Sequence, residues 1–169
     1  MEFVSRILEG SVSLDLRDAL RRSVSSSYRI SQDEKIRRLE EVPMFADLSR
    51  KQLRAVAAIS KVVELPAATM LTRTGEPGDA FFVLVDGSAI VEIPPRKRSR
   101  LGPGDFFGEM SLLDGEPRSA TVSAETDVRL LVIQRLNFQV LLREVPDLLH
   151  KILVTLTRRV RHLERSLAN

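Results

Sequence analysis

The residues best suited to chemistry lie in one run, Phe106-Phe-Gly-Glu-Met-Ser-Leu-Leu-Asp-Gly-Glu-Pro-Arg-Ser-Ala-Thr-Val122. Its parts add up to a cradle for an anion. Gly108 lets the backbone approach a ligand with no Cβ in the way. Glu109 to Leu113 suit one helical turn whose free amide N–H groups point at negative charge. Arg118 can close on the same group, because its planar guanidinium makes two-point contacts with phosphate oxygens. Ser119 adds a hydroxyl or a backbone donor. Glu109 is the odd member, since a carboxylate beside a phosphate is repelled unless it accepts hydrogen bonds from hydroxyl groups on the same ligand. A ribose hydroxyl is such a donor. Two plainer readings stand beside these: Phe-Gly-Glu alone is common at β-bulges, and Arg118 can form a structural ion pair, with Glu109 itself as one partner.

Other chemistries lack their residues. The chain has no cysteine, which removes disulfides, thiol nucleophiles and thiolate metal sites. A metal-dependent jelly-roll enzyme needs clustered histidines, yet no histidine falls between Lys61 and Gln134. Ser111 and Ser119 therefore have no histidine base in their own region, and His150 and His162 sit in the tail as surface residues. We expect no metal and no enzyme. The formal charge of +3 is too mild to announce nucleic acid. Of the local basic clusters, Arg96-Lys-Arg-Ser-Arg100 follows Pro94-Pro95 and reads as a solvated hairpin tip. No apolar stretch approaches the roughly 18 residues of a membrane span, and the N-terminus lacks the pattern of a secretory signal. The expected location is the cytoplasm.

At 169 residues, with 43% apolar and 29% charged residues, the chain has the size of one domain with helical flanks. Residues 1–30 read as a poorly defined arm containing Ser23, Ser25, Ser26 and Ser27. Residues 31–60 form a helical lead-in, with capping-box spacing at Ser31-Gln-Asp-Glu34 and Ser49-Arg-Lys-Gln52. From 61 to 134 the pattern becomes β-type: runs 61–65, 69–72, 80–85, 88–93, 120–124 and 128–133 are rich in Val, Ile, Phe and Thr. Seven of the eight glycines lie between Gly75 and Gly115 and punctuate those runs. The fold class is α+β: an antiparallel β-roll, jelly-roll-like, that carries the cassette 106–122. Residues 135–169 return to helix, with a joint at Val145-Pro146. In that tail Leu149, Leu153, Leu156, Val160, Leu163 and Leu167 step by 4, 3, 4, 3 and 4 residues, a narrow seam that wants apolar cover.

From about Val42 to Arg159 the chain resembles the cyclic-nucleotide-binding domain family of catabolite activator proteins, protein kinase A regulatory subunits and cyclic-nucleotide-gated channels. The likeness rests on Phe107-Gly108-Glu109 followed at the right distance by Pro117-Arg118-Ser119-Ala120, with Gly75-Glu-Pro-Gly-Asp79, Phe81 to Leu84 and Asp86-Gly87 in support. The resemblance implies a roll of about eight strands, short N-terminal helices and a long C-terminal helix. It implies that Glu109 holds the ribose 2′-hydroxyl and Arg118 the cyclic phosphate. Amides around Gly108, Glu109, Met110, Ser119 and Ala120 take the phosphate oxygens, with Phe107 and Ser111 in the same cassette. Val83 and Val91 are ordinary inward sheet residues that can also touch base or sugar, and Arg158 or Arg159 can reach the exposed edge of the base.

The expected function is a regulatory sensor that binds cyclic AMP in preference to cyclic GMP and signals through a helical rearrangement. Ser119, where a threonine tends to accompany cyclic GMP preference, favours cyclic AMP. The receiver is an unidentified effector protein or a second copy of the chain, paired through the C-terminal helix. That helix is either a lid on the roll or a dimer seam. Two alternatives remain: a DNA-binding regulator of the catabolite activator type without its DNA module, and a roll that has kept the shape without binding. Specific DNA binding is not expected.

Overall fold

A computed structural model describes residues 31–168. The arm 1–30 lies outside the described residues. Two short helices open the described part, α1 (Gln32–Glu40) and α2 (Arg50–Ile59). Ser49 and Gln52 make the full reciprocal capping box ahead of α2. At α1 the expected box is half made. The Ser31 hydroxyl accepts from the Glu34 amide at 3.2 Å, but the Glu34 carboxylate turns outward to Arg37 and Arg38, one turn further along the same face.

Eight strands follow: β1 (Ser60–Leu65), β2 (Met70–Thr72), β3 (Ala80–Asp86), β4 (Ala89–Ile93), β5 (Lys97–Leu101), β6 (Phe106–Phe107), β7 (Thr121–Ala124) and β8 (Val128–Gln134). Helix α3 (Glu109–Asp114) interrupts them, and α4 (Arg135–Glu144) and α5 (Pro146–Ala168) close the chain. The strands make two antiparallel four-stranded sheets, ordered β1-β8-β3-β6 and β2-β7-β4-β5. All but two strands match the runs read from the sequence to within a residue or two. The exceptions are β5 and β6. The segment expected as a hairpin tip, Arg96 to Arg100, is mostly β5, an edge strand paired along β4 from Ala89↔Leu101 to Ile93↔Lys97. Charged residues suit an edge that must not recruit another sheet, so its basic composition concealed it.

Strand β3 explains how one roll serves two cores. Its first five residues are all buried, because both faces are covered. Phe82 and Leu84 face the core between the sheets, with Phe107, Val122, Leu130 and Val132. Phe81 and Val83 face the helices, among Phe106, Leu131, Ile133, Phe138, Leu148 and Ile152. The Phe81 ring lies 4.8 Å from that of Phe138 on α4 and 5.6 Å from that of Phe106. The helices are therefore anchored on the back of the strand whose front carries the site.

Candidate functional site

Arg118 is the centre of the site, and its position is set by carbonyls and glycines. Its Nη1 donates to Gly108 O at 2.9 Å and its Nη2 to Ala80 O at 2.8 Å. The residue is 7% exposed, and its Cζ lies 5.8 Å from the Phe82 ring centroid. Phe82 stacks in turn on Phe107, 4.9 Å between centroids. Backbone bonds between Gly75 N and Arg118 O, and between Arg118 N and Glu76 O, both 2.8 Å, hold the β2–β3 turn against the arginine. Two glycines make room for the fork. A Cβ on Gly78 would fall 2.4 Å from Arg118 Cζ, and one on Gly108, whose φ is +88°, would fall 2.8 Å from both Arg118 Nη1 and Ala80 O.

Glu109, the first residue of α3, is 2% exposed. Burial pushes its carboxyl above the ordinary range, while Arg159, its own backbone N–H and Arg118 hold it back. Burial also pulls the Arg118 guanidinium down to about 10, against the attraction of Glu109, which leaves it cationic near neutral pH. The ion-pair partner of Glu109 is not Arg118. It is Arg159 on α5, whose Nη1 donates to Glu109 Oε1 at 2.8 Å and whose Nη2 donates to Phe106 O at 2.5 Å. The Arg159 Cζ also sits 4.6 Å from the Phe106 ring centroid. The last helix is thus fastened to the cassette by one side chain.

The structure brings Phe107, Gly108, Glu109, Arg118 and Arg159 together. Ser111 is buried at 2% on α3. Met110 is 48% exposed, and the Ser119 hydroxyl donates to its sulfur at 3.5 Å. Ala120 is half-buried, its carbonyl accepting from the Thr72 hydroxyl at 3.1 Å. Val91 packs at the margin of the core between the sheets. Val83 does not join them: it is fully buried on the helix side of β3, across the strand from Phe82. Arg158 is exposed on α5.

Sequence reasoning missed Asp79 and Arg135. At the start of α4, Arg135 donates from Nε to Asp79 Oδ1 at 3.2 Å and from Nη2 to Gly78 O at 2.7 Å and Ser111 O at 3.3 Å. One guanidinium thereby ties the glycine turn, the cassette helix and α4. No local pattern joins residues 56 positions apart, so no sequence signal could have found the pair.

Among the described residues no group of His, Asp and Glu is arranged to hold a metal ion, and no helix is long and apolar enough to cross a membrane. What the arrangement offers is a buried guanidinium fork, a buried carboxylate beside it and an arginine of α5 paired with that carboxylate.

Comparison with known proteins gives three findings. The family model described as "Cyclic nucleotide-binding domain" matches residues 62–145. Among curated proteins, the chain is 44% identical over 107 residues to a cyclic nucleotide-gated potassium channel of Mesorhizobium japonicum, covering 63% of this chain and 30% of the channel. It is 36% identical over 118 residues to the cAMP-dependent protein kinase regulatory subunit of Aspergillus niger, covering 67% of this chain and 28% of that subunit. The chain therefore spans about a third of the length of the curated relatives it matches. Among solved structures, the catabolite activator protein of Thermus thermophilus superposes with a TM-score of 0.66 at 28% identity, over 74% of this chain and 61% of that one.

Proposed function

The chain belongs to the cyclic nucleotide-binding domain family, a regulatory rather than a catalytic family, and from that premise we propose that it binds cyclic AMP at the cassette and reports it through α5. The observation that carries this reading is Arg118, a buried fork seated between Gly78 and Gly108 with the buried Glu109 next to it. Its two carbonyl bonds use two of the five N–H donors a guanidinium carries, so donors remain for the two exocyclic oxygens of a cyclic phosphate. Glu109 lies desolvated beside the fork, and its carboxylate oxygens are the acceptors there for a ribose 2′-hydroxyl. The amides of Gly108, Glu109, Met110, Ser119 and Ala120 complete the phosphate contacts, Phe107 and Ser111 shape the cassette, and Val91 is placed to touch base or sugar.

Signalling requires that the ligand favour one arrangement of the helices over another. Arg159 and Arg135 are the side chains through which the cassette holds α5 and α4. The output passes to a partner chain or a second copy, and the place of action is the cytoplasm. Titration calorimetry of the purified chain with cyclic AMP, cyclic GMP and 5′-AMP tests the reading. Cyclic AMP should bind at one site per chain, cyclic GMP more weakly, and 5′-AMP, with a dianionic open phosphate, weakest. Equal heats for all three, or none, would overturn it.

A further inference from the structure

The first turn of α3 carries a side chain that the anion cradle does not use. The phosphate contact takes the Met110 amide and leaves the side chain in solvent, 48% exposed. The chain has four methionines. Met1 lies outside the described residues, Met44 is 6% exposed in the helix-side core and Met70 is half-buried on β2. A peroxide in solution therefore meets the Met110 sulfur before those of Met44 and Met70, because oxidation of a thioether follows its exposure.

That sulfur has a polar neighbour in the site. The Ser119 hydroxyl donates to it at 3.5 Å, so the cassette helix touches the residue that follows Arg118. A thioether is a weak acceptor, and a ligand can draw the hydroxyl away at little cost. A sulfoxide differs in two ways that matter here. Its oxygen is a strong acceptor, and it stands one bond length out from the sulfur, in the space that separates the sulfur from the hydroxyl.

We propose that Met110 is a site of reversible oxidation by peroxides, and that its sulfoxide oxygen captures the Ser119 hydroxyl and withdraws it from the nucleotide. The sulfur lone pair attacks one peroxide oxygen: the S–O bond forms, the O–O bond breaks, and the departing hydroxide takes the proton of the transferred oxygen and leaves as water. The sulfur is oxidised and the peroxide reduced. Rotation about the flexible thioether arm brings either sulfoxide epimer to the hydroxyl. Methionine sulfoxide reductases, one for each epimer, reverse the change. Oxidation of this kind gives a redox input to a chain that has no cysteine. The loss of affinity rests on the cyclic-nucleotide reading; the oxidation and the capture do not.

Hydrogen peroxide treatment of the full chain, followed by peptide mass mapping and calorimetry, tests these steps. Met110 should gain an oxygen before Met44 and Met70. The oxidised chain, folded as judged by its thermal melt, should bind cyclic AMP about two- to fivefold more weakly, the loss of one exposed neutral hydrogen bond. Reductase treatment should restore the original affinity. Met110→Leu should show one affinity before and after peroxide. Ser119→Ala should oxidise at Met110 as the wild type does, yet lose no further affinity. Relaxation of isotope-labelled methionine methyls reads the capture without any ligand: the oxidised Met110 methyl should be ordered in the wild type and mobile in Ser119→Ala. No preference for Met110 in the peptide map overturns the oxidation site. Equal mobility of that methyl in the two chains, or a Ser119→Ala chain that still loses affinity on oxidation, overturns the capture. Unchanged affinity in the folded, oxidised wild type overturns the withdrawal. No heat from cyclic AMP in the untreated chain, alongside an ordered oxidised methyl, sinks the ligand reading and leaves the redox site standing.

Discussion

Gly78 and Arg118 are in contact across the site: a single added carbon at Gly78 would sit 2.4 Å from Arg118 Cζ and 2.8 Å from its Nη1. The turn between β2 and β3 is therefore part of the arginine's seat. A guanidinium that bonds two carbonyls and lies against two glycines has one position, and the ligand meets it already placed.

Gly78→Ala should shift that position while leaving the fork chemically intact. Overpacking of this kind costs about 1–3 kcal/mol, which is about five- to 150-fold in affinity if the cost falls on the ligand-competent position. Gly102→Ala is the matched control, since nothing lies within 4 Å of a Cβ there. Calorimetry that finds the two variants equal would show that Gly78 is no part of the seat.

Arg118→Ala should lower cyclic AMP affinity by about 2–5 kcal/mol, roughly thirty- to several-thousand-fold. It should also lower stability. Gly108 O and Ala80 O lose their donor, and a buried acceptor left unpaired costs about 1–3 kcal/mol. Urea unfolding should show a reduced midpoint with a single cooperative transition. Full affinity in the variant would remove Arg118 from the site.

Much of this site was legible in the sequence and some was not, for a physical reason. Gly108, Glu109 and Arg118 lie in one short segment, so their types and spacing could be read together. The heptad seam of α5 was legible for the same reason: a helix brings residues 3 and 4 apart onto one face. The Asp79–Arg135 clamp and the choice of Arg159 as the Glu109 partner depend on how the chain returns to itself. As the plainer alternative to a phosphate contact, the sequence allows an ion pair between Arg118 and Glu109. In the fold, carbonyls occupy that arginine and a residue 50 positions away supplies the charge. Val83 shows the same limit in a strand: alternation put it on a face, but both faces of β3 are buried, and the run of apolar residues could not say which one faces the site.

Lys35 tests stability away from the site. Its Nζ donates to Ala57 O and Ser60 O, both at 2.8 Å, and so caps the carboxyl end of α2. Lys35→Met should cost about 1–3 kcal/mol in urea unfolding, because the carbonyls of two buried residues, Ala57 and Ser60, lose a charged donor. Ligand affinity should not change. A variant as stable as the parent would mean that water replaces the cap.

Glu109 should leave a signature in the pH dependence of stability. Its folded carboxyl is raised above 4.5 by burial, so over the window just above 4.5 the folded chain holds more proton than the unfolded one. Where the native state binds the extra proton, stability falls as pH rises. The wild type should therefore lose stability relative to Glu109→Gln as pH rises from 4.5 through the raised value, with the difference constant on either side. A difference that grows in the opposite direction would mean that Arg159 outweighs the burial.

Arg159→Ala separates a lid from a competitor. If Arg159 acted as a lid on the base, removing it would weaken cyclic AMP binding. Its contacts are instead with Glu109, Phe106 O and the Phe106 ring, so it competes with a ribose hydroxyl for the same carboxylate. Removing it leaves Glu109 buried without its charged partner in the free protein, and a ligand hydroxyl then relieves a larger cost. The pair is worth about 1 kcal/mol, because the arginine is partly exposed and screened, so calorimetry on dilute monomer should find cyclic AMP binding about fivefold tighter. In hydrogen exchange the tail amides from Leu156 onward should lose protection in the variant without ligand. In the wild type at the same dilution they should lose it when cyclic AMP is added. Weaker binding in the variant, with tail amides that ligand protects, would show instead that α5 closes over the ligand as a lid.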